Sequence, residues 1–103
     1  MSTKTVEKRD IKIKRPQRYC NIFHNNNVTT QETVVNVLYH VFHFSGQKAI
    51  DIMLQVHEKG KGIVFIGSKE VCDLKKEMVN DCLRKLGDEA LVHEVSLYEN
   101  DDD

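Results

Sequence analysis

Tyr19 to His24 is apolar enough for a short strand, and the chain then breaks into the polar run Asn25-Asn26-Asn27. Thr29 and Glu32 stand at the spacing of a capping box, in which the hydroxyl accepts a helix N–H and the carboxylate reaches back to the cap. The helix this predicts keeps Val34, Val35, Leu38, Val41 and Phe42 on one face. Ser45 is the expected N-cap of a second helix, with Ala49, Ile52, Met53 and Val56 facing inward and Gly60 ending it in the C′ position. Gly62-Ile63-Val64-Phe65-Ile66-Gly67 is a β-rich run between glycines, too short for a helix. Ser68 caps a third helix carrying Val71, Leu74, Met78, Val79, Cys82, Leu83 and Leu86, which Gly87 closes. Leu91 to Leu97 reads as a last strand. The order is β-α-α-β-α-β, and three strands need helices on one face to be stable. The expected fold class is therefore α+β, a small three-stranded antiparallel sheet packed against three helices.

Length and charge set the outer limits of this picture. The 103 residues make one domain, and the net charge of −1 conceals an asymmetry. Met1 to Arg18 carries Lys4, Lys8, Arg9, Lys12, Lys14, Arg15 and Arg18 against Glu7 and Asp10. Asp88, Glu89, Glu94, Glu99 and Asp101 to Asp103 have no basic neighbour at the other end. Pro16 disfavours helix at Arg15. Residues 1–17 are accordingly expected to be a disordered basic extension, residues 18–98 the core, and residues 99–103 an acidic tail. The cysteines Cys20, Cys72 and Cys82 are odd in number and show no paired spacing, which fits a reducing compartment. No stretch has the length or apolarity of a bilayer span or a secretory signal, so the expected location is cytoplasmic.

Several function classes lack support. No nucleophile–base set, phosphate loop or paired buried carboxylates appears, so an enzyme is not expected. His40 and His43 have no third ligand at useful spacing, so neither a metal nor another cofactor is expected. His24 and His93 are isolated strand residues, expected to be structural or exposed. The core is near neutral and has no aromatic platform in a basic groove, which argues against nucleic acid. What remains is chemistry for binding. If the asparagine run meets Met53-Leu54-Gln55-Val56-His57, then amides, a threonine hydroxyl and an imidazole surround an apolar hole lined by Val34, Met53 and Val56. An α-ammonium offers three donors, and a peptide beginning with a large apolar residue presents both that head and a side chain for the hole.

At these residues the chain resembles the ClpS family, the adaptors that deliver N-degron substrates to an AAA+ Clp unfoldase. The resemblance rests on Asn25, Thr29 and Glu32, then Ala49-x-x-Ile52-Met53-x-x-Val56-His57-x-x-Gly60, then Glu70-Val71, Lys75 and Met78-Val79-Asn80. It covers roughly Arg18 to Leu97. It implies an α-amine site at Asn25, Asn26, Asn27 and His57, and a side-chain pocket formed by Thr29, Gln31, Val34, Met53, Val56 and Leu91. It also implies docking on the unfoldase's N-terminal domain through Glu70 and Lys75, a monomer as the working form, and an N-terminal extension threaded toward the unfoldase pore at hand-off. Peptides starting with Leu, Phe, Tyr or Trp are the implied ligands, with no nucleic acid or membrane partner.

The chain departs from the family pattern in four places. Asn26 and Asn27 stand where the family usually has two aspartates, Gln31 where it has a methionine at the pocket rim, Thr30 where it has a proline and Phe65 where it often has a glycine. The alternative these departures leave open is a Clp-docking or ribosomal-stalk-like interaction module that has lost N-degron binding.

Overall fold

The computed structural model describes residues 16–99; the readings of residues 1–15 and 100–103 as basic extension and acidic tail lie outside them. The elements run β1 (Arg18–His24), α1 (Gln31–Phe42), α2 (Gly46–Lys59), β2 (Lys61–Gly67), α3 (Lys69–Leu86) and β3 (Val92–Tyr98). The sheet is antiparallel with β1 in the centre, in the order β2-β1-β3. This is the α+β fold expected from the order of apolar segments.

Successive strand side chains point to opposite faces. On β1, Phe23 faces the helices and packs edge-on against Phe42 of α1 at 5.9 Å. Phe23, Val37, Leu38, Ala49 and Val79 are sealed from solvent at the centre of the core. A bulge breaks the β1–β2 register: Asn21 pairs with Phe65 but Ile22 pairs with Ile63, so Val64 is the extra residue. Phe65 then packs against Phe42 with ring centroids 6.1 Å apart and planes tilted by 42°. A side chain at Gly67 would meet the Phe65 ring at 2.8 Å. Phe65 is thus a packing residue made possible by the glycine two positions on.

Two caps differ from expectation. Thr30, not Thr29, is the N-cap of α1, its hydroxyl accepting from the Thr33 N–H at 3.1 Å. Its partner is Asp88 rather than Glu32: Asp88 Oδ2 accepts the Thr33 hydroxyl at 2.9 Å and lies 3.4 Å from the Thr30 N–H. A carboxylate there also meets the positive end of the helix dipole. Ser45 occupies the N-cap of α2 but makes no side-chain cap bond, whereas Ser68 caps α3 as expected through the Val71 N–H.

The apolar stripe expected on α3 is only partly buried. Cys72, Val79 and Leu83 face the core, while Val71 and Leu74 are 40% and 55% exposed and Met78 and Leu86 are also open. An 18-residue helix lying over three strands and one neighbouring helix can hide only a narrow face. Among the described residues, no helix is long and apolar enough to cross a membrane.

His40 and His43 do not share a helix face, because His43 has left α1 as its left-handed C-cap at φ 61°. A Cβ in that conformation costs about 1–2 kcal/mol. His43→Gly should therefore raise the unfolding free energy by a net of about 0.5–1 kcal/mol, seen as a higher thermal midpoint, once glycine's greater freedom in the unfolded chain is set against the relief.

Candidate functional site

The asparagine run follows β1 directly and is pinned at both ends. The Asn25 N–H donates to the Gly60 carbonyl at 2.9 Å. Gly60 can present that carbonyl because it ends α2 at φ 89°, a left-handed conformation natural to glycine. One hydrogen bond thus places the start of the run beside the last turn of α2, which carries His57.

Asn26 holds the rest of the loop. Its Oδ1 accepts from the Val28 N–H at 2.9 Å and the Thr29 N–H at 2.7 Å, and its Nδ2 donates to the Ala90 carbonyl at 2.8 Å. Both lone pairs of its oxygen are therefore taken by its own loop, and its amide ties that loop to the segment before β3. Asn25 and Asn27 stand exposed on either side of it. The three asparagines divide into one loop staple and two open acceptors.

These constraints produce a cavity of about 170 Å³, lined by Asn25, Asn26, Asn27, His57, Thr29, Gln31, Val34, Met53, Val56, Leu91 and His24. The structure thus gathers every residue expected at the amine site and the side-chain pocket. Val34, Met53, Val56 and Leu91 are each at most 8% exposed and make the apolar wall. Gln31, the first residue of α1, is exposed at the rim. The Thr29 hydroxyl is buried with no hydrogen-bond partner among the described residues, an arrangement costly enough to mark a place where a polar group is expected to arrive. A cavity of about 150 Å³ with apolar walls accepts a benzene ring, so this one has the size for one large side chain below a polar rim.

Two residues shaping the site carried no local signal. Asp88 caps α1 from 55 residues away in sequence, and His24 lines the cavity although it reads as an isolated strand histidine. His93, the other strand histidine, is buried: its Nε2 accepts from Asn21 Nδ2 at 2.9 Å, and the same amide donates to the Cys72 carbonyl at 3.0 Å. Burial, aided by the Lys76 ammonium, lowers the His93 pKa to about 4, so the ring is neutral.

The expected docking residues lie apart from the cavity, on α3. Glu70 is exposed in the first turn. Lys75 is half-buried and turned inward, its Nζ donating to the Val41 carbonyl at 3.0 Å and lying over the Phe42 and Phe65 rings at 5.6 and 5.5 Å. It closes the end of α1 and shields two aromatic faces. The thiols of Cys20, Cys72 and Cys82 are all raised in pKa by burial, which leaves them poor nucleophiles. Among the described residues no group of three or more metal-ligating side chains is assembled.

Residues 14–93 match the family described as ATP-dependent Clp protease adaptor protein ClpS. The ClpS adapter of Lawsonia intracellularis is 37% identical over 76 residues, covering 74% of this chain and 70% of that one. That of Oleidesulfovibrio alaskensis is 39% identical over 75 residues, covering 73% and 72%. That of Acetivibrio thermocellus is 38% identical over 81 residues, covering 77% and 82%. Among solved structures, Agrobacterium tumefaciens ClpS2 bound to L-phenylalaninamide superposes with a TM-score of 0.74 at 24% identity, covering 82% of this chain and all (100%) of that one, which bears on the fold.

Proposed function

This chain belongs to the ClpS family of ATP-dependent Clp protease adaptors, and from that premise we propose that its cavity binds the free N-terminus of substrates beginning with a large hydrophobic residue, for delivery to a Clp AAA+ unfoldase. The family is one of adaptors, not enzymes. The observation that carries the reading is the single cavity that joins Asn25, Asn27 and His57 to an apolar wall of Val34, Met53, Val56 and Leu91. Two amide oxygens and a neutral imidazole nitrogen match the three donors of an α-ammonium. An internal or acetylated peptide lacks those donors and leaves the acceptors unpaired, at about 1–3 kcal/mol each where buried. The side chain below adds roughly 1.5–3 kcal/mol. The relative whose structure is bound to L-phenylalaninamide carries a ligand of this chemistry, a free amine on an aromatic residue.

Delivery calls for a second surface. Glu70 and the exposed Val71, Leu74 and Met78 of α3 form an apolar stripe with an acidic end, suited to docking on the unfoldase's N-terminal domain. Lys75 supports that face by holding α3 to α1.

The test is fluorescence anisotropy with peptides that differ only in residue one: Leu, Phe, Tyr, Trp, Ile, Val, Arg and an acetylated Leu control. Binding of Leu and the aromatics that acetylation abolishes is the expected result, and binding of Ile or Val as well marks Gln31 as a relaxed gate. His57→Ala should weaken the Leu peptide about tenfold or more, the worth of one hydrogen bond to a charged group, with the thermal midpoint unchanged because His57 is exposed. Unchanged affinity would place the ligand elsewhere. The absence of any carboxylate from the cavity lining of the described residues favours a second reading, a Clp-docking module without cargo recognition. Failure of every peptide to bind would select it.

A further inference from the structure

The short segment that joins α3 to β3 carries one wall of the cavity, Leu91, and is fastened to three other parts of the fold. At its start the Asp88 N–H donates to the Leu83 carbonyl at 3.1 Å, which closes α3. The Asp88 side chain holds a different helix: its Oδ2 accepts the Thr33 hydroxyl of α1 at 2.9 Å. The Thr30 hydroxyl in turn donates to Thr33 Oγ1 at 3.0 Å, so a chain of two hydroxyls ends on a carboxylate. Bonds to a charged acceptor are the strong ones, and each member of such a chain polarises the next. Two residues on, the Ala90 carbonyl takes the Asn26 amide at 2.8 Å. Leu91 follows, buried at 8% exposure.

These bonds bracket the cavity. Gln31 and Val34, two residues before Thr33 and one after it, line the cavity from α1, and Leu91 lines it from the segment that Asp88 begins. The spacing of α1 and that segment sets the room between their walls, and the hydrogen bonds from α1 and its cap to the segment end on Asp88. The volume of about 170 Å³ is little larger than the roughly 150 Å³ of an apolar cavity that holds benzene. A phenyl group fills it as it stands, whereas an indole needs the walls to part. We propose that Asp88 is a positioning residue for cargo selectivity: by tying α1 to the segment that carries Leu91, it fixes the width of the pocket and so favours phenylalanine over tryptophan as a substrate's first residue. The inference rests on the reading of the cavity as an amine site and adds to it what sets the size of the side chain accepted.

The experiment measures the affinity of a Phe-initiated peptide, its Trp-initiated counterpart and the Nα-acetylated Phe peptide. The proteins are the full chain, Asp88→Ala, Asp88→Asn, Thr33→Val and the Thr33→Val/Asp88→Ala double variant. The native chain should prefer Phe to Trp. Asp88→Ala should lower affinity for the Phe peptide about fivefold and leave the Trp peptide within about twofold, which shrinks the preference. Thr33→Val removes the hydroxyl at nearly constant volume and should shift the ratio the same way. Combined with Asp88→Ala it should add little, because the two act through one bond. Asp88→Asn keeps an oxygen for the Thr33 hydroxyl and should restore most of the preference. The ratio separates positioning from folding, since a variant that is merely less stable weakens both peptides by one factor. A Phe-to-Trp ratio that stays at its native value in Asp88→Ala and Thr33→Val overturns the inference and leaves the amine site standing. So does a native chain that holds Trp as tightly as Phe. A native chain that binds none of the peptides, or does not distinguish Phe from its acetylated twin, overturns the amine site, and the inference with it. Thr33→Val keeps the question answerable if Asp88→Ala is poorly folded.

Discussion

Between pH 7 and pH 4 the fold should lose about 3 kcal/mol of stability through one side chain, His93. The folded ring titrates near 4, with burial as the larger cause and the Lys76 ammonium as the smaller. In the unfolded chain an imidazole titrates near 6.5. The unfolded state therefore takes up the proton first as pH falls, and the contribution is fully present above about pH 6.5 and lost progressively down to about pH 4. Protonation would also turn Nε2 from acceptor to donor, opposing the Asn21 amide that now donates to it at 2.9 Å. Urea unfolding at pH 7, 5.5 and 4 for the native chain and His93→Leu isolates the effect, because every other side chain is common to both. The native chain should lose about 3 kcal/mol more than the variant over that interval. Equal losses would mean that another group governs the acid sensitivity.

The largest gain in ligand affinity is expected from Asn27→Asp. A carboxylate facing an ammonium makes a bond about twice as strong as a neutral amide does, so affinity for a Leu-initiated peptide should rise about five- to tenfold. Asn27 is exposed, and the gain should shrink as salt is raised. Asn26→Ala should behave differently although it alters the adjacent, chemically identical residue. It removes the bonds to Val28, Thr29 and Ala90, so it should cost about 1–3 kcal/mol of stability and loosen both neighbours' grip on a ligand. Anisotropy and thermal melts of the two variants separate the roles. A drop in affinity for Asn26→Ala with no loss of stability would mean that Asn26 meets the ligand directly.

Much of the site was legible in the chain because its signals are local. The order of elements follows from the period of the apolar residues, and Gly60 and Gly87 end their helices where a left-handed residue is needed. The cavity residues sit just past a strand end, at a helix start and in the last turn of the next helix. Sequence spacing places each on its own element, and the resemblance to the ClpS family brought those segments together before any contact was visible. How much of the long α3 stripe is buried was not legible, for the opposite reason. Periodicity says which residues share a face, but how much of that face is covered depends on the width of what lies beneath it.

What the sequence determined by itself was therefore the elements, their order and, with the family resemblance, every cavity-lining residue except His24. The tertiary structure alone decided which polar groups are consumed in holding that cavity open. Asn21 and His93 pair across 72 positions, Asp88 caps a helix that begins 57 residues earlier, and His24 reaches Glu94 across 70. None of these partners has a local signature, because a hydrogen bond between distant segments is set by strand register and helix placement. The same carboxamide that reads as one of three equal asparagines became, by its position between Val28 and Ala90, a staple rather than a ligand.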